Sequence, residues 1–152
     1  GDRYLKANPA RLFLSLQTGH EGPSDQRYIS RGIVRRSAQL DRLGRFALLR
    51  GNMVCCLADA IAMGMMVASE RLPPLADGDW VVVFGRVQPL AEAVPITDLG
   101  ATGEISFSMV YGRALLVAEA VEPVERPPFP YVFELPPSKR GPARLTGGED
   151  DY

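Results

Sequence analysis

Trp80 to Leu90, WVVVFGRVQPL, decides the fold. It is dense in β-branched and aromatic residues and reads as a strand. Gly85 stands inside it, where a glycine marks a bulge or a sharp bend. Upstream, Tyr28, Ile29, Ile33 and Val34 form a similar run around Gly32, and Asp41 to Gly44 supplies a turn. Phe46 to Ala58 is a long apolar stretch broken at Arg50-Gly51-Asn52, which reads as a bulge or a short hairpin. Asp59-Ala60 turns into the apolar run Ile61 to Ala68, and Glu70 to Asp79 is a loop whose strongest turn signal is Asp77-Gly78. Ile105 to Val121 gives one long strand or two, with Gly112 at its centre. Strands with a glycine at mid-length suit a curved sheet, because glycine turns a barrel corner and closure removes exposed edges. The expected fold class is therefore all-β: a small, closed or partly open, five- to six-stranded barrel, OB-like, with a sandwich as the alternative.

Around that core the chain divides into an N-terminal segment and loop (1–26), a barrel domain (27–134) and a Pro-rich, flexible tail (135–152). Asn8-Pro9 is a helix-start signal, with a capping side chain before a proline at the first helical position. Leu12, Leu14 and Leu16 alternate as a strand would, so helix and strand compete there. Glycine and proline take 28 of 152 positions, a surplus that favours turns and short strands over long helices. Apolar residues at 46% and charged residues at 23% exclude a disordered chain. No run approaches the ~18 apolar residues of a membrane helix.

Arg45 to Ala60, RFALLRGNMVCCLADA, carries the most distinctive motif: an apolar strand with Arg50, then Cys55-Cys56, then Ala58-Asp59-Ala60. Gly78-Asp79-Trp80-Val81, Val83 and Gly85 follow; Tyr28 and Gly32-Ile33-Val34 precede it; Pro130-Tyr131-Val132 closes the set. In this order the residues resemble the soluble C-terminal domain of the YcgQ-type family, bacterial proteins without an assigned function. The resemblance runs from Arg27 to Phe133. It departs at Ile61-Ala62-Met63-Gly64, where a proline is expected, and in the His20-Glu21-Gly22-Pro23 loop. It implies the soluble part of a membrane-associated accessory protein that works with a YcgR-type permease. It also implies membrane helices elsewhere in the full-length protein, with a lean toward the extracytoplasmic side.

Cys55, Cys56 and Asp59 are the candidate metal ligands. Two thiolates and a carboxylate suit a soft or borderline cation, zinc or copper. Neighbouring side chains in a regular strand face opposite ways, so a shared ion needs backbone irregularity there. Cysteines packed as small hydrophobes are the competing reading. Met63, Met65 and Met66 read as core filler and Trp80 as a barrel-core anchor.

Seven arginines and two aspartates between Asp25 and Arg50 give a local balance of +5, whereas Glu70 to Glu125 carries −6. Arg31, Arg35, Arg45 and Arg50 could therefore contact phosphates in a single-stranded nucleic-acid-binding module. Against this stand a pI near 5.9 and only Tyr28 and Phe46 as aromatics in the basic stretch. A purely structural interaction domain is the third reading. His20, the only histidine, sits in a loop with no nucleophile arranged beside it, and no glycine pattern cradles phosphate, so a non-enzymatic role is expected.

Overall fold

The computed structural model describes residues 4–20, 22–53, 60–97, 99, 107–135 and 152. Its elements are β1 (Tyr4–Lys6), α1 (Pro9–Gln17), β2 (Arg27–Arg35), α2 (Ala38–Arg42), β3 (Arg45–Asn52), β4 (Ile61–Ala68), β5 (Trp80–Pro89), β6 (Ser108–Pro123) and β7 (Tyr131–Val132). Strands β2 to β6 close a five-stranded barrel in the order β2-β5-β6-β4-β3 and back to β2, and β1 and β7 are additions to it. β2, β3 and β4 are consecutive antiparallel neighbours, and β5 returns beside β2, which is Greek-key connectivity. β6 closes the ring, parallel to β4 and antiparallel to β5. The all-β, OB-like expectation holds.

Side-chain alternation builds two apolar layers. Phe46, Leu48, Met65, Val67, Val83 and Leu116 fill the barrel interior. Their neighbours Ala47, Leu49, Met66 and Leu115 point the other way and form a second cluster with Leu40, Leu90, Val94 and Ile96. The segment 90–97 that follows β5 thus lies over the outer face of β3, β4 and β6. Backbone bonds Leu90 N–H to Arg113 O (2.8 Å) and Val94 N–H to Gly112 O (2.8 Å) pin it there. Gln39, on α2, clamps its far end by donating to Pro95 O (2.6 Å) and accepting from Thr97 N–H (3.3 Å). Burial on both faces explains why β3 and β4 read as near-continuous apolar runs. It also accounts for Met65 and Met66, adjacent yet both buried, and the methionines are core as expected.

Between helix and strand at residues 9–17, the helix wins. Asn8 Oδ1 accepts from Arg11 N–H (3.0 Å), and Pro9 occupies the first turn. α1 plugs one end of the barrel. Leu12 and Leu16 enter the interior cluster, while Ala10, Phe13 and Leu14 pack on Met63 and Val132.

Two local expectations change. Arg50-Gly51-Asn52 is not a bulge: β3 pairs with β4 without a slip from Arg45↔Ala68 to Asn52↔Ile61. Gly51 is there because the Tyr131 ring lies against it, where a Cβ would come within 2.8 Å. The turn expected at Asp41 to Gly44 is present, closed by Gly44 N–H donating to Asp41 O (3.1 Å) at the end of α2, whose start Ser37 Oγ caps at Leu40 N–H (3.0 Å). Trp80 is half-exposed rather than a core anchor, because Val81 and Val83 take the inward positions of β5. By contrast, the bend expected at Gly85 is present as a register shift between Phe84 and Gly85 against β6. Ile105 to Val121 contains one strand, β6, whose register against β4 slips beyond Tyr111. Among the described residues, no helix is long and apolar enough to cross a membrane.

Candidate functional site

A concavity of about 550 Å³ lies between α1, β1 and the corner of the barrel made by β2, β5 and β6. Leu5 from β1, Leu12 and Leu16 from α1, Val87 and Pro89 from β5, and Ala114 from β6 give it apolar walls. Its polar lining comes from Lys6, Arg11, Ser15, His20, Ser24 and Tyr28. Helical spacing produces this mix: Arg11, Leu12, Ser15 and Leu16 fall at i, i+1, i+4 and i+5, one face of α1. β1 is held over the pocket by parallel pairing with β2 and by Ala7 N–H donating to Ile29 O (2.9 Å). Burial pushes the Tyr28 hydroxyl above its ordinary pKa, against the opposing pull of the Arg11 guanidinium. Such a cavity, apolar with a few converging polar groups, is the usual form of a small-molecule site.

Cys55, Cys56 and Asp59 lie outside the described residues, in the stretch that joins Met53 to Ala60. Among the described residues, no group of three His, Cys, Asp or Glu side chains gathers within metal-binding range.

The four candidate nucleic-acid arginines go to different places. Arg50 is fully buried where β2 and β3 part beyond Ile33↔Leu49. There its Nε donates to Pro130 O (2.7 Å), its Nη1 donates to Arg31 O (3.3 Å), and its guanidinium lies 5.4 Å from the Trp80 ring centre. Arg35 is buried and paired with Asp77 (3.1 Å). Arg45 is half-buried against Met66 Sδ (3.7 Å). Arg31 stacks on the Tyr152 ring at 4.9 Å, and its backbone N–H donates to Tyr152 O. Two of the four are thus internal, and the outer face of β3 and β4 is roofed by the 90–97 connector.

A second surface lies on the C-terminal arm. Phe129 and Phe133 stack at 5.9 Å between centroids, and Tyr131 packs edge-on against Phe129 at 5.7 Å. Phe129 and Phe133 remain exposed, at 54% and 37%. The arm is sutured to the barrel by Asn52, which donates to Glu134 O (3.1 Å) and accepts from Glu134 N–H (2.7 Å). Asn8 adds a bond to Glu134 Oε1 (3.1 Å).

Sequence reading missed the pocket because its lining comes from six separated segments. Lys6 and Arg11 gave no signal until α1 was known to lie against the barrel.

Fold and pocket together define a small OB-like β-barrel with a helix-plugged end and a ligand-sized cleft. The chain belongs to the DUF1980 C-terminal domain family, whose model matches residues 23–134. No curated protein matches it at a significant level. The match covers the whole barrel and the C-terminal arm, while β1, α1 and the pocket's Lys6, Arg11 and His20 precede it.

Proposed function

We propose that this chain is a non-enzymatic, ligand-binding accessory domain of a membrane-associated protein that works with a permease. The observation that carries the binding half is the 550 Å³ cleft beside α1, apolar in its walls and polar at a few converging points. The membrane and permease half rests on the resemblance to the YcgQ-type domains. Co-purification of the full-length protein with the permease encoded beside it tests that half. A stable complex supports the role, and clean separation in mild detergent removes it.

The same accessory role includes a transition-metal site, zinc or copper, on Cys55, Cys56 and Asp59. Its support is the residue set itself, two thiols and a carboxylate within five positions. Metal analysis of the purified chain, with thiol titration before and after chelation, tests it. Two freely reactive thiols and no bound metal at micromolar levels would end it.

The aromatic ridge favours a second reading, a protein-interaction module. Stacked, exposed rings on a firmly anchored arm are the composition of an interface centre. Phe129→Ser with Phe133→Ser should abolish partner capture and leave the fold intact. Undiminished capture by the double variant refutes this reading. A nucleic-acid role has less support, since Arg35 and Arg50 are spent inside the molecule.

A further inference from the structure

We infer that the pocket beside α1 takes an amphiphilic anion, an apolar body ending in one carboxylate or phosphate head. This inference rests on the ligand-binding reading above and adds the chemical class of the ligand. The lining includes the cations Lys6 and Arg11 and the imidazole of His20, and no carboxylate side chain lines the cavity among the described residues. No described carboxylate pairs with Arg11 or Lys6. The Lys6 ammonium lies 5.1 Å from the Tyr152 ring centre. Arg11 is half-buried and shares the cavity lining with Leu12, Leu16 and Tyr28.

That placement sets the ligand's chemistry. A guanidinium partly withdrawn from water is best satisfied by an anion, to which it can donate two parallel bonds. The Tyr28 hydroxyl, which lines the same cavity, is a further donor. Leu12, Leu16, Val87 and Ala114 offer the head group nothing but can cover a hydrocarbon body. A wholly apolar guest would leave Arg11 and Tyr28 desolvated without a partner, and a small polyanion would leave the greasy wall unfilled. An organic cation would meet Lys6 and Arg11 directly. Only a ligand with both characters uses the whole cavity.

Three ligands of one chain length test this: decanoate, decan-1-ol and decyltrimethylammonium, titrated into the 152-residue chain and followed by amide chemical shifts. Decanoate should shift residues of α1, Tyr28 and Val87, and bind about tenfold or more tighter than the alcohol. The cation should bind weakest. Arg11→Gln should abolish the advantage of decanoate over the alcohol and leave the melting temperature unchanged. If none of the three binds, the ligand-binding reading itself falls. If alcohol and decanoate bind equally in the same cleft, that reading stands and the anionic class is wrong. Sedimentation with phosphatidylglycerol vesicles separates two sources of the head group. Co-sedimentation lost in Arg11→Gln assigns it to a membrane lipid. Decanoate binding without co-sedimentation assigns it to a free amphiphile.

Discussion

Arg50 shows how one residue type can carry two meanings in the same sequence position. It stands in RFALLRGN, in phase with Phe46 and Leu48, and that phase, more than its charge, tells where it goes. A strand residue shares a face with its i±2 neighbours, so an arginine two positions past an inward leucine is committed to the protein side. It resolves the cost of burial by donating to two carbonyls, Pro130 O and Arg31 O, and by lying over Trp80. Arg50→Ala should therefore cost about 3 kcal/mol or more, since each carbonyl stripped of a charged donor costs roughly 1–3 kcal/mol. Urea unfolding measures it as a lower midpoint at unchanged slope. Arg45→Ala is the control and should stay within about 0.5 kcal/mol of wild type, as most surface changes do. Equal effects from the two would show that burial of Arg50 does not matter to the fold. The same argument does not extend to Cys55 and Cys56, which lie outside the described residues.

Elements carry the next layer of information, and glycine was its most legible signal. The bend expected at Gly85 exists because β5 and β6 change register there and the Val117 carbonyl occupies the space a Cβ would need. Gly85→Ala must move backbone rather than a side chain, so a loss of roughly 1–3 kcal/mol is expected, with an α-carbon shift at Val117 in the variant's spectrum. No measurable loss would mean that β6 yields freely there. Less legible was the edge that β1 makes, which depends on side chains distant in sequence. Glu119 accepts from the Tyr4 hydroxyl (3.1 Å), Arg27 Nε (3.0 Å) and Arg86 Nη2 (3.3 Å), joining β1, β2 and β5 to β6. Partial desolvation raises its pKa, but the Tyr4 bond and the two arginines outweigh this and hold the carboxyl below the ordinary glutamate range. A depressed acid stabilises the fold above its unfolded pKa and loses that contribution as pH falls through the folded value. Acidification should thus loosen β1 before the barrel melts. The Tyr4 ring signals should follow the Glu119 titration, and Glu119→Gln should flatten that response. A Tyr4 environment that is insensitive to pH would argue that strand pairing alone holds β1.

For the whole molecule, periodicity and glycine spacing were enough to read an OB-like barrel, while the layers around it were hidden. The long apolar runs of β3 and β4 are what hid them. A strand covered on both faces loses its alternation, so FALL and AMGMMV reveal burial without revealing which face meets which partner. The partner is the 90–97 connector, which places Leu90, Val94 and Ile96 on the cluster of Leu49, Met66 and Leu115. This is the face through which OB barrels bind single strands. Here the residues beneath the cover are aliphatic, with no ring on which a base could stack, and Arg45 beside Met66 is the cation that adjoins them. Removing the cover should therefore produce a sticky surface and no new binding site. Val94→Ser with Ile96→Ser should cost roughly 1–2 kcal/mol for each half-buried side chain and raise the fluorescence of an anilinonaphthalene dye. Neither wild type nor the double variant should retard a labelled oligonucleotide at low salt, where phosphate contacts are strongest. Salt-sensitive retardation appearing only in the variant would recast the connector as a gate over a nucleic-acid site. It would also require the basic character of β2 and β3 to reach that face, and with Arg35 and Arg50 buried elsewhere it is Arg45, beside Met66, that would have to supply it.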